Sequence, residues 1–196
     1  MSDPFFKMST IDRMVEAVER VRRRVRRAAA ALDGAGIPYA VAGDNEVEAW
    51  VASVEPAAVR TSKDVHLVLR RSDIATASVA LALANFVPAQ DKESDIFLDG
   101  TDGRVVDAVR IVFANEKIRS YDLITAPNVT DFEALSGMRV LSLSALVWMK
   151  LVSNRTVDKV HVRDMLDVNL LDASWLDRFP PELAERLQHL LDTPDG

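Results

Sequence analysis

The stretch that decides the fold reads AGIPYAVAGDNEVEAWV over Ala35–Val51 and, after a short interval, RTSKDVHLVL over Arg60–Leu69. Ile37–Ala42 is a short apolar run opened by Pro38 and closed by Gly43, which predicts a strand ending in a turn. Asp44 then stands where a helix N-cap belongs, and Val47, Trp50 and Val51 recur at the spacing of a buried helix face. Thr61–Leu69 reads as a second strand. Its side chains alternate, so Val65, Leu67 and Leu69 point one way and Asp64, His66 and Val68 the other. Two ionisable groups therefore share one strand face while the opposite face is core.

Upstream, Met14, Val18, Val21, Val25, Ala28 and Leu32 recur every three or four residues, predicting a long amphipathic helix capped by Thr10 and ended by Gly34 and Gly36. Its outer faces hold ERVRRRVRR, with six arginines between Arg20 and Arg27. Glu16 and Glu19 precede Arg20 and Arg23 by four residues, the favourable order for helical ion pairs. This face is either a solvated surface or a landing site for an acidic partner or RNA.

Downstream, Asp73–Ala84 reads as a helix, and Ser94–Leu98 and Arg104–Phe113 as strands around the turn DGTDG. On the last strand Asp107 shares a face with Val105, Val109, Ile111 and Phe113, where a carboxylate is costly unless paired or bound to a cation. In the second half Ser144 is the expected cap of a helix on which Lys150 lies on the stripe of Leu146, Val147 and Leu151. Such a lysine either snorkels to the rim or points its charge into a cleft. Next, NRTVDKVHVRDMLDV spaces Asp158, His161 and Asp164 by three along a face away from Val162, Met165 and Leu166. Pro180–Asp192 is an amphipathic helix with Pro181 in its first turn and Leu183, Leu187, Leu190 and Leu191 on its apolar face.

The 196 residues are 48% apolar, enough for one good core with a helical extension. There are no cysteines, which excludes disulfides and thiolate metal sites. A formal charge of −6 and a pI near 5.1 argue against a general nucleic-acid coat. No apolar run reaches membrane-spanning length, and MSDPFFKMST lacks the shape of a signal peptide, so a soluble cytoplasmic protein is expected.

From about Val15 to the C-terminus the chain resembles the nucleotidyltransferases of the polymerase-beta-like superfamily, in particular the AbiEii/AbiGii-toxin-like group. The resemblance is carried, in order, by GIPYAVAGDNEVEAW, TSKDVHLVL, DAVRIVFANEKIR, VLSLSALVWMKLVSNR, DKVHVRDMLDV and PPELAERLQHLLDTPDG. It implies an α/β fold, a small mixed sheet flanked by helices, with a core over residues 1–140 and a C-terminal helical lobe over 141–196. It also implies transfer of a nucleoside monophosphate from a nucleoside triphosphate to an RNA, protein or small-molecule acceptor, and a toxin with a cognate antitoxin.

Carried over by position, the implied metal carboxylates fall on Asp64, on position 66 and on Asp107. Gly43, Asp44 and Lys63 fall at the phosphates, Lys150 at a phosphate or a site carboxylate, and Asp164 of the Arg163-Asp164 pair at the base. The cofactor would be magnesium or manganese, two ions neutralising the triphosphate and aligning the attacking and leaving oxygens. Two positions depart from the pattern. His66 replaces a hard oxygen ligand with an imidazole, which manganese or zinc tolerates better than magnesium; as an alternative it is only a polar residue on an exposed strand face. Asp44, Glu46 and Glu48 fill the helix start that should cradle phosphate, where carboxylates suit the helix dipole but repel a triphosphate; as an alternative, Glu46 or Asp44 replaces the lost metal ligand from across the cleft. The expectation is therefore a nucleotidyltransferase-like protein with weakened or lost activity, or a binding module of the same fold that engages a macromolecular partner through the cleft or the basic first helix.

Overall fold

The computed structural model describes residues 10–56, 65–91, 94–118 and 124–193. Among the described residues six α-helices and seven strands follow in chain order. They are α1 (Thr10–Gly34), β1 (Tyr39–Ala42), α2 (Asp44–Val54), β2 (Val65–Leu69), α3 (Ile74–Leu83), β3 (Phe86–Asp91), β4 (Ser94–Asp99), β5 (Val109–Phe113), β6 (Phe132–Leu135), β7 (Met138–Leu141), α4 (Leu143–Ser153), α5 (Thr156–Asp167) and α6 (Pro181–Asp192). The strands form one mixed sheet in the order β3-β4-β5-β2-β1-β7-β6. β1 runs antiparallel to β2 and parallel to β7, and β2 runs parallel to β5.

The alternation expected of β2 decides how the sheet is covered. Val65, Leu67 and Leu69 are fully buried in the main core beside Val109 and Ile111 of β5, under Val21, Val25, Ala28 and Leu32 of α1. Each such leucine contributes roughly 1.5–3 kcal/mol by leaving water. Val68 and its registered neighbour Val112 face the other way, into a smaller core with Ala40, Ala42, Ala126 and Val129. That second core was not anticipated: the chain after β5 covers part of the far face.

Three expected boundaries move. Gly43, rather than Asp44, is the N-cap of α2, whose first residue is Asp44. Ser142, rather than Ser144, caps α4: its hydroxyl accepts from the Ala145 N–H at 3.3 Å and donates to Asp131 Oδ1 at 2.6 Å. The Arg104–Phe113 strand begins only at Val109, because Val105–Asp107 turns as a 3-10 helix. Residues 61–64 of the expected second strand lie outside the described residues.

The arginine-rich face of α1 is not uniformly solvated. Arg24 is only 6% exposed and donates to Asp99 Oδ2 at 3.1 Å; Arg27 also pairs with Asp99 and lies 4.4 Å over the ring of Phe86. Arg22 bridges Glu19 and the buried Glu48, at 3.1 and 3.0 Å. Arg20, Arg23 and Arg26 remain exposed. Half of the arginines thus fasten α1 to α2 and to the sheet.

Candidate active site

The β1–α2 turn positions the cleft. Gly43 has φ +76, and a Cβ on it would stand 2.9 Å from His66 Nδ1. Only glycine combines that conformation with so close an approach to the neighbouring strand. Ala42 pairs in register with His66, so the turn passes directly over the imidazole. Trp50 anchors the helix behind it by donating from Nε1 to the Leu141 carbonyl at 3.0 Å.

Gly43, Asp44, Glu46 and His66 line one side of a cleft of about 540 Å³, and Met149, Lys150, Arg155 and Asp158 of the α4–α5 corner line another. Val68, Val112, Ile118 and Ile124 supply apolar walls. Lys150 is 8% exposed, and its ammonium lies 2.8 Å from His161 Nδ1, 3.3 Å from Asp158 Oδ1 and 3.8 Å from Asp44 Oδ1. An ammonium can only donate, so Nδ1 of His161 accepts and its ring carries its proton on Nε2. Arg155 grips Asp158 through Nε at 2.8 Å and Nη2 at 3.3 Å. Burial works to raise the Asp158 carboxyl, but hydrogen bonds from Arg155 and Ser153 and the charges of Lys150 and Arg155 outweigh it and hold the group at about 2.

Glu46 is the opposite case. It is 1% exposed, and burial pushes its carboxyl well above the usual carboxylate range, against the pull of Lys150 and of the Gly43 N–H; Asp131 adds to the rise. Its Oε1 has no hydrogen-bond partner among the described residues.

The residues singled out in the sequence divide clearly. Gly43, Asp44, His66 and Lys150 line the cleft. Asp107 does not: it pairs with Arg104 at 2.8 Å and faces Arg24 of α1 at 3.9 Å. The residue beside His66 on β5 is instead Arg110, which donates to Asp91 at 2.8 Å. Asp164 is buried on α5 and is not part of the cleft lining. Asp64 and Lys63 lie outside the described residues. Glu46, expected at the helix start, also lines the cleft. Arg155 and Asp158 had no assigned role there, although their i, i+3 spacing on a helix start was a readable signal.

Among the described residues, which do not include Asp64, the donor set does not fit a magnesium pair. Among the described residues there is no group of three His, Asp or Glu side chains able to hold a metal ion. His66 offers nitrogen, its β5 neighbour is an arginine rather than a carboxylate, and Asp107 is committed to arginines.

No family model matches the sequence, and no curated protein is similar enough to count as a relative. Solved structures do resemble it. ANT(2'')-Ia in complex with adenylyl-2''-tobramycin superposes with a TM-score of 0.51 at 11% identity, covering 89% of this chain and 98% of that one. The fold is the nucleotidyltransferase fold. JHP933 from Helicobacter pylori covers 96% of this chain and 78% of its own at 14% identity, with a TM-score of 0.49. At such identities the nucleotidyltransferase fold is what is shared, and the chemistry rests on the side chains. No helix among the described residues is long and apolar enough to cross a membrane.

Proposed function

We propose that this protein is a nucleotidyltransferase-fold binding protein in which metal-dependent transfer of a nucleoside monophosphate has been lost, and whose cleft between α2 and the α4–α5 corner survives as the ligand site. The observation that carries this reading is the engagement of Lys150 by an ion pair to Asp158 at 3.3 Å and a hydrogen bond to His161 at 2.8 Å. A lysine that must meet a phosphate is here already bonded on two sides. Asp44 at the helix start works in the same direction, against a triphosphate.

The competing reading is an active enzyme of the AbiEii/AbiGii type, using Asp64 with magnesium or manganese, a triphosphate donor, an RNA or protein acceptor and a cognate antitoxin. Its support is the Gly43 turn, which still aims the start of α2 at the cleft. The two readings separate on one assay: the purified chain, incubated with each labelled ribonucleoside triphosphate and either metal, releases no pyrophosphate and labels neither itself nor added RNA. Metal-dependent pyrophosphate release abolished by Asp64→Ala establishes the enzyme instead.

A further inference from the structure

Lys150 and Arg155 share one carboxylate, Asp158, while neither Asp44 nor Oε1 of Glu46 is hydrogen-bonded to a cation. Lys150 and Arg155 both hold Asp158 at hydrogen-bond distance. Asp44 is 44% exposed on its side chain and reaches His161 and Lys150 only at 3.7 and 3.8 Å, longer than hydrogen bonds. Glu46, two residues further along α2, is buried with Oε1 unpartnered, and both carboxyls line the cleft. An orphan buried oxygen is costly, so a group that satisfies it binds with that cost removed.

We propose that the cleft binds a small molecule bearing an aliphatic ammonium group, which donates to Oε1 of Glu46 and is flanked by Asp44. The inference rests on the reading of the cleft as a metal-free binding site. A cation is the chemistry that fits. It brings the donors that Glu46 lacks, whereas a polyphosphate meets two carboxyls and finds Lys150 and Arg155 already engaged. The charged or titratable groups around Glu46 are Lys150 from α4, Asp131 ahead of β6, Asp44 on α2 and His66 from β2. Val68, Val112 and Met149 offer an apolar wall for the carbon skeleton, and about 540 Å³ suits a small organic ligand.

Titration calorimetry on the full chain tests this with 1,4-diaminobutane and spermidine as probes and 1,4-butanediol as the uncharged control. Saturable binding of the amines is expected, with none of the diol. Glu46→Gln keeps an acceptor for the Gly43 N–H yet weakens amine binding by about tenfold or more, Asp44→Asn weakens it less, and Asp102→Asn at an exposed turn leaves it unchanged. No amine binding by folded protein, or binding that Glu46→Gln does not alter, overturns the proposal. Magnesium-dependent binding of adenosine triphosphate in the same cell contradicts the underlying metal-free reading, whether or not amines bind.

Discussion

Oδ1 of Asp158 stands 3.3 Å from Nζ of Lys150, and both groups are at least nine-tenths buried. The pair closes the α4–α5 corner over the cleft. Removing Asp158 leaves a buried ammonium with His161 alone at hydrogen-bond distance, so Asp158→Ala is expected to cost about 3–5 kcal/mol in urea unfolding. Lys150→Met costs less, since Arg155 still holds Asp158. The folded carboxyl sits at about 2 against an ordinary 3.8, so its stabilisation is complete above pH 3.8 and is lost as pH falls towards 2. Asp158→Asn removes that acid limb, which circular dichroism during acid titration checks.

Glu46 gives the opposite slope. Its carboxyl is raised in the fold, so the folded state keeps its proton after the unfolded chain has lost one. Its contribution to stability is full below about pH 4.5 and declines as pH rises from there through the folded value. Glu46→Gln should gain stability relative to wild type at pH 7 and show little difference at pH 4. Denaturant melts at the two pH values measure this, and an equal effect at both refutes it.

Gly43→Ala combines a positive φ with a Cβ placed 2.9 Å from the His66 ring. The backbone term alone is of order 1–3 kcal/mol, and the contact adds to it. His66→Ala in the same chain should recover the contact part and not the backbone part. A double-mutant cycle on thermal unfolding separates the two.

The arginines of α1 should behave as two classes. Arg24→Met loses a buried pairing to Asp99, which Arg27 still holds, and is expected to destabilise by about 1–2 kcal/mol. Arg23→Gln and Arg26→Gln, at exposed positions, should stay within about 0.5 kcal/mol.

What was legible in the sequence follows what is local. The period of α1 and the alternation of Val65–Leu69 encode burial directly, and both appear as buried faces. Strand β3 carries Pro88, β6 is an exposed FEAL edge and β7 is four residues long, so none shows enough alternation to be read. Asp107 was read by strand parity, whereas Arg24 reaches it from 83 residues upstream, a relationship no local pattern carries. In the cleft, Gly43, Asp44, His66 and Lys150 were visible as motif positions. The pairing of Lys150 with Asp158 and His161 was not, because it depends on how α5 packs against α4.

The central claim is that the cleft no longer serves metal-dependent triphosphate chemistry. Calorimetric titration of the folded chain with the four ribonucleoside triphosphates, in magnesium and then in manganese, tests it most directly. The account predicts no saturable heat in either metal. Metal-dependent binding selective for one base, abolished by Asp64→Ala, would contradict it.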